Sequence, residues 1–204
     1  MIRIFPLIFV LLWSSAFITT KPLIDNSDPF SALAFRFSIV TLGFFLFSLY
    51  TKQKILVNKK NFIESFFSGV LFHGLYLGGV FFSISKGMPT GIAALIVTLQ
   101  PILTNALSGP ILNEKVTIKQ WIGVLLGFSG AILVIGLDIG SNIPVVGLIA
   151  TIIALVAITS STIWQKKLSN NLPLSVSNMY QALGGVTFHI IVILFFAKPY
   201  INFT

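Results

Sequence analysis

Long apolar runs alternate with short polar connections along the whole chain. Each run is close to the roughly 20 residues that an α-helix needs to cross a hydrocarbon core about 30 Å thick. The connections are too short to hold a soluble domain, so we predict an all-α fold, a polytopic membrane helix bundle. Its seven transmembrane helices are predicted at about 4–20, 29–51, 62–85, 90–112, 120–137, 145–165 and 176–197.

The first apolar run is short and follows Arg3, a pattern that a cleaved signal peptide also shows. Trp13 and a cluster of hydroxyl residues occupy the place where a cleavage site would lie. We therefore interpret this run as a retained first helix.

The composition excludes a water-soluble domain. The chain of 204 residues is 55% hydrophobic and 9% charged, whereas soluble domains carry about 25% charged residues. It has no cysteine, which excludes disulfides, thiol nucleophiles and cysteine-bound metals. The sequence also lacks the glycine-rich P-loop pattern of an ATP site. We expect neither a cofactor nor a metal.

The basic residues predict the orientation in the membrane. If the amino terminus is cytoplasmic, the basic residues on the cytoplasmic side are Arg3, Lys52, Lys54, Lys59, Lys60, Lys115, Lys119, Lys166 and Lys167. Those outside are Lys21, Lys86 and Lys198, and Arg36 falls within a span. The positive-inside rule then predicts a cell-membrane protein with a cytoplasmic amino terminus. The basic loop KQKILVNKKN is an orientation signal under this interpretation, and we expect no nucleic-acid partner.

Two parts of the chain resemble each other. SSAFITTK (14–21) and SSTIWQKK (160–167) each place paired serines near a span end and a lysine seven residues after the first serine. Pro29 and Pro173 follow, and seven residues beyond them lie Arg36 and Tyr180. Five spans separate the two copies, so the second is inverted. Inverted repeats are typical of secondary transporters, whose substrate site lies near the membrane midplane.

The sequence resembles the EamA-type ten-helix exporters of the drug/metabolite transporter superfamily. The stretches that carry the resemblance are VLLWSSAFITTKPL, DPFSALAFRF, PTGIAALIVTLQPILTNALSG and NEKVTIKQWIGVLLGFSGAILVI. Asn113 departs from the family by standing where a glycine is usual. The resemblance implies a complete five-helix repeat in residues 1–140 and the first two helices of a second repeat in 141–204.

The implied function is export of small metabolites, such as amino acids or related amphipathic compounds, by alternating access. The last three helices of the second repeat are missing from this pattern. A non-transporting fragment, a truncated product, or a unit completed by a second copy or another partner therefore stays open. The expected partners are a small-molecule substrate and the lipid bilayer.

Arg36 is the sharpest candidate for the substrate pathway. An arginine inside a membrane span should face the bundle interior and meet an anion, a carbonyl or water. It can attract an anionic substrate group or anchor a gate. It can also hold neighbouring helix carbonyls or extend toward the membrane surface.

The third and fourth spans carry further candidates. His73 lies midway along its span with Tyr76 three positions on, so the imidazole can relay protons or can be a neutral, carbonyl-bonded structural group. Gln100, Thr104 and Ser108 recur every four residues as a polar stripe beside Pro101, which should interrupt the helix. The stripe predicts a cavity wall, with interhelical hydrogen bonding as the alternative.

The remaining candidates are identified by their depth in a span or by the similarity between the two copies of the repeat. Trp13, Ser14 and Ser15 near the outer end of the first helix can line the pathway, although an aromatic residue at this depth can instead belong to the belt at the membrane interface. Tyr180 and Gln181, which match Arg36 in the second copy, can also line the pathway. We expect glycines 123, 127 and 130 to permit close helix packing.

Other classes of function fit less well. An intramembrane enzyme would need His73, His189 and the serines, but histidines on different spans without a paired acid form neither a metal site nor a triad. A receptor-like seven-helix protein conflicts with the predicted cytoplasmic amino terminus. We therefore predict a transporter and not an enzyme.

Overall fold

The computed structural model describes residues 4–113, 115–135, 143–167 and 172–196. Nine α-helices and one π-helical segment account for most of these residues. The α-helices are α1 (Phe5–Asn26), α2 (Pro29–Tyr50), α3 (Lys59–Gly69), α4 (Leu77–Ser85), α5 (Thr90–Val97), α6 (Gln100–Leu112), α7 (Ile118–Ile135), α8 (Val145–Lys167) and α9 (Leu174–Phe196). The π-helical segment, Val70–Tyr76, joins α3 to α4.

Each predicted apolar run forms helix, which confirms the predicted helix bundle. Among the described residues, five stretches are long and apolar enough to cross a membrane: Pro29–Tyr50, Lys59–Ser85, Thr90–Leu112, Val145–Lys166 and Leu174–Phe196. That α1 and α7 also cross stays a prediction, as do the division into two repeats and the orientation.

The end of the first helix was predicted wrongly. The apolar run ends near residue 20, but α1 continues to Asn26 with Pro22 inside it. The added turn is stabilised by side chains that cap its carbonyl groups. Asn26 Nδ2 donates to the Pro22 carbonyl at 2.9 Å, and Ser27 Oγ donates to the Leu23 carbonyl at 2.7 Å.

The interruption of the fourth run was predicted correctly. The helix breaks at Thr98 and Leu99, and Pro101 lies in the first turn of α6. Proline fits there because the first-turn amide groups lack an intrahelical acceptor in any case. The fourth run is thus two short helices in series.

The core lies where α9 meets α2, α3 and the π-helical segment, and where α8 meets α4 and that same segment. The helices α3 and α9 cross at two glycines. A Cβ added to Gly69 would collide with the backbone of Gln181, and one added to Gly184 would collide with the backbone carbonyl of Phe66. The two backbones approach closely because neither position carries a side chain.

Helix α7 lies at the edge of the described bundle, where it packs on α5 and α6. A Cβ added to Gly123, Gly127 or Gly130 would have no atom of the described residues within 4 Å. The prediction that these glycines permit close packing is therefore wrong within the described residues, because no neighbouring helix covers their face there.

Candidate functional site

The π-helical segment places His73 in the middle of the bundle. Its hydrogen bonds run from residue i to i+5, a rare winding that occurs mostly as short insertions within α-helices and frequently at functional sites. The segment packs on both α8 and α9. The prediction that His73 and Tyr76 act together assumed α-helical spacing, in which residues three apart share a face. The π-helical winding changes that spacing.

His189 of α9 contacts this segment directly. Its side chain is fully buried, and its Nε2 lies 3.0 Å from the backbone oxygen of His73. A carbonyl oxygen only accepts hydrogen bonds, so Nε2 carries the proton and, in the neutral ring, Nδ1 carries the lone pair. Among the described residues, the Nδ1 atoms of both His73 and His189 are buried without a hydrogen-bond partner.

Phe37 of α2 lies against both imidazoles. Its ring centroid is 4.5 Å from that of His73 and 6.0 Å from that of His189. Gly185 permits the approach of α9, because a Cβ there would lie only 2.6 Å from the His73 Cβ. We call His73, His189 and Phe37 the histidine cluster.

The histidine cluster was missed by sequence reasoning, which treated the two histidines as unrelated groups on different spans. A usable signal was present. His73 lies 11 residues after the start of its predicted run and His189 lies 13 residues after the start of its own, which is roughly 17 Å and 20 Å at 1.5 Å per residue. Under the predicted topology both runs start at the same membrane face, so the two rings lie at similar depths.

Arg36 lies beside the histidine cluster but outside the bundle interior. Its side chain is exposed on α2, and its guanidinium carbon is 5.7 Å from the centre of the Phe37 ring. Within the described residues this exposure fits the alternative in which Arg36 extends away from the interior, and its role in the substrate pathway stays a prediction. Successive helix residues differ by about 100° around the axis, so burial of Phe37 turns Arg36 to the rim.

Gln181 belongs to a hydrogen-bonded group that we call the polar network, formed by Ser65, Ser68, Ser161, Gln165, Ser177 and Gln181. Gln165 Nε2 donates to Gln181 Oε1 at 3.4 Å and to Ser161 Oγ at 3.2 Å. Gln181 Nε2 donates to Ser177 Oγ at 3.2 Å. These bonds connect α8 to α9.

The serines of α3 extend the polar network to a third helix. The hydroxyls of Ser68 and Ser161 are 3.3 Å apart, and Ser161 Oγ also donates to the Ser68 carbonyl at 3.2 Å. Ser65 and Ser177 hydroxyls are 3.5 Å apart. The polar network therefore joins α3, α8 and α9 near the ends that we predict to be cytoplasmic.

Tyr180 lies apart from the polar network although it neighbours Gln181 in sequence. Its hydroxyl donates to the Ile55 carbonyl at 3.0 Å, and its ring packs edge-on against Phe62 at 5.1 Å. Tyr180 thus ties the connection between α2 and α3 to the start of α9.

The predicted polar stripe faces α8. Gln100 Nε2 donates to Thr104 Oγ1 at 3.3 Å and to Thr162 Oγ1 at 3.2 Å, while Thr104 and Ser108 are buried. The bond from Gln100 to Thr162 is the interhelical hydrogen bond that the alternative to a cavity wall predicts, whereas the bond to Thr104 lies within α6. Tyr76 is buried in the apolar core, with 2% of its surface exposed.

A polar cleft of about 560 Å³ opens at the opposite end of the bundle, between α1, α2, α4 and α5. Lys21 and Asp25 of α1 contribute charges of opposite sign, and Ser85 and Thr90 contribute hydroxyls. Under the predicted topology this cleft faces the outside. The side chains of Trp13 and Ser14 lie outside the described part, and Ser15 is exposed on α1.

Comparison with known proteins identifies a family model and several relatives that the chain matches. Residues 2–136 match the model of the EamA-like transporter family. A protein of Salmonella typhimurium named "Probable amino-acid metabolite efflux pump" is 24% identical over 168 residues, covering 82% of this chain and 54% of its own. A protein of Escherichia coli with the same name is 24% identical over 166 residues, covering 81% and 53%. An uncharacterized transporter of Bacillus subtilis is 27% identical over 200 residues, covering 94% and 64%.

These relatives are longer than the matching region. The chain spans between about half and two thirds of their lengths. Within the described residues, no group of three or more histidine, cysteine, aspartate or glutamate side chains is arranged to hold a metal ion.

Proposed function

Because the chain belongs to the EamA-like transporter family, we propose that it exports small amphipathic metabolites, such as amino acids, across the cell membrane by alternating access. The match over residues 2–136 confirms the resemblance noted in the sequence and supports a multi-pass membrane transporter. The substrate, the direction and the cytoplasmic amino terminus are part of the proposal.

The observation that carries the proposal is the difference between the two ends of the bundle. At one end the polar network connects α3, α8 and α9 by direct side-chain bonds, and at the other the cleft lies open between four helices. A transporter that alternates access needs one closed and one open end. We infer that the polar network is the cytoplasmic gate and that the cleft is the outer mouth.

The distribution of charge supports a substrate with a carboxylate. Among the described residues, Glu64 is the only acidic side chain within a predicted span. It lies near the start of α3, and its Oε1 is 4.0 Å from Lys60 Nζ. Arg36 supplies positive charge deeper in the membrane. The cleft adds Lys21 and Asp25, which together suit the carboxylate and the ammonium group of an amino acid.

A second proposal is that the chain works as part of a larger helix assembly, with a second copy or another partner supplying further helices. The uncovered glycine face of α7 supports it, because small residues let transmembrane helices approach closely. Crosslinking between chains that carry a cysteine at Gly127 would test this arrangement, since the native chain has no cysteine.

Export from intact cells tests the proposed transport. Cells that produce the chain and are loaded with radiolabelled alanine should lose the label several-fold faster than cells with an empty vector. Lys115→Gln, a change in the loop before α7, should export like the wild type. Equal rates of loss with the chain and with the empty vector, at confirmed membrane expression, would contradict export of this amino acid.

A further inference from the structure

We propose that His189 is a proton-binding site that controls the contact between α9 and the π-helical segment. The role of this site would be to couple proton binding to movement of the substrate, and that role rests on the proposed function. Its structural basis is the histidine cluster.

The hydrogen bond to the His73 carbonyl determines where a proton can bind. Neutral His189 already donates through Nε2, so an added proton must bind at Nδ1. That atom is buried, and none of the described residues accepts a hydrogen bond from it. Burying a charged group without a partner is unfavourable, so the closed contact excludes the protonated ring.

Protonation therefore requires a different packing of α9. The Nδ1 atom gains a partner when water or an anionic substrate group reaches it, and this happens when α9 separates from the π-helical segment. Gly185 and Gly78 line the same contact, where a Cβ would lie 2.6 Å from His73 Cβ and 3.1 Å from His189 Cε1. The contact is thus tight enough to exclude water when closed.

Among the described residues, none of the charged and titratable groups near His189 is a counter-ion for it. The π-helical segment contributes His73 and Tyr76, and α2 contributes Arg36, whose positive charge disfavours a second one nearby. Glu64 of α3 is nine residues before His73, roughly 13 Å along the helix, and lies beside Lys60. The other titratable side chains described on α2, α3 and α9 lie near the helix ends.

A histidine is also a poor choice for a purely structural bond here. A glutamine can donate to the same carbonyl from a similar position but binds no proton near neutral pH. The imidazole leaves a buried nitrogen with no partner in the described part of the chain, which lowers the stability of the fold. Unlike glutamine, an unperturbed imidazole changes its charge between about pH 5 and 8.

The test uses two properties of the chain, its two histidines and its lack of cysteine. The purified full chain in lipid nanodiscs, labelled with ¹⁵N-histidine, gives two sets of imidazole signals, which His73→Gln and His189→Gln assign. In parallel, Ala182→Cys on α9, at a fully buried position, reports separation of the helices through its rate of labelling by a thiol reagent. Gln53→Cys in the exposed loop corrects for the pH dependence of the reagent.

We expect His189 in the Nε2–H form at pH 8. Because burial disfavours the charged ring, its protonated fraction should grow only as the pH is lowered well below the ordinary range of histidine, toward about pH 4. Corrected labelling of Ala182→Cys should rise together with that protonation, by up to about tenfold per pH unit, the limit for one linked proton. His189→Gln should remove the rise, whereas His73→Gln should retain it because the backbone carbonyl is still present.

Two results would overturn the proposal: an unchanged rise in labelling in His189→Gln, or protonation of His189 without any rise in the wild type. Neither measurement needs a transported substrate. A failed export assay with intact pH-dependent labelling would therefore count against the proposed function alone.

Discussion

Alanine at Gly184 should separate α9 from α3 and lower the free energy of unfolding by about 3 kcal/mol, the upper part of the usual range for overpacked cores. The added Cβ would overlap the backbone carbonyl of Phe66, which cannot rotate away as a side chain can. Gly69→Ala should have a similar effect, because its Cβ would overlap the backbone of Gln181. Thermal unfolding of the purified chain in detergent measures both.

Gly123→Ala is the matched control, since the same atom is added to a helical glycine that has no described atom within 4 Å of the new Cβ. Its stability should stay within about 0.5 kcal/mol of the wild type. If Gly184→Ala and Gly123→Ala unfold at the same temperature, the α3–α9 crossing described here is incorrect.

Removal of the Arg36 charge should reduce export at least about tenfold while leaving the fold intact. The side chain is exposed, so Arg36→Ala should change the free energy of unfolding by no more than about 0.5 kcal/mol. Its proposed role is to attract a carboxylate of the substrate. Export of radiolabelled alanine, normalised to the amount of folded protein, measures the loss.

Arg36→Lys distinguishes charge from geometry. Lysine keeps the positive charge but loses the planar donor pair of guanidinium, so we expect intermediate export. Wild-type export in Arg36→Ala would exclude Arg36 from the pathway. Loss of folded protein in that variant would instead assign the residue a structural role.

The helices were predictable because their signal is local. A run of about 20 apolar residues specifies a membrane helix whatever surrounds it, and Pro101 interrupts its helix through its own ring and missing amide. The end of α1 was harder to predict, because it depends on Asn26 and Ser27, whose side chains cap carbonyl groups beyond the apolar run.

The site was less predictable because it depends on contacts between distant parts of the chain. The bond from His189 to the His73 carbonyl joins residues 116 positions apart, and the π-helical segment packs against α8 and α9, which lie far along the chain. The rim position of Arg36 and the open face of α7 depend on which neighbours surround each helix, which periodicity alone does not specify. The resemblance to the family indicated a transporter without indicating these contacts.

The most direct test of the central claim is counterflow with the purified chain. Proteoliposomes that contain the chain and a high concentration of unlabelled alanine are diluted into radiolabelled alanine, and uptake of label is followed. We predict transient accumulation of label above that in protein-free liposomes, and little accumulation with Arg36→Ala. Uptake equal to that of protein-free liposomes for alanine and for the other amino acids would contradict amino-acid transport by this chain.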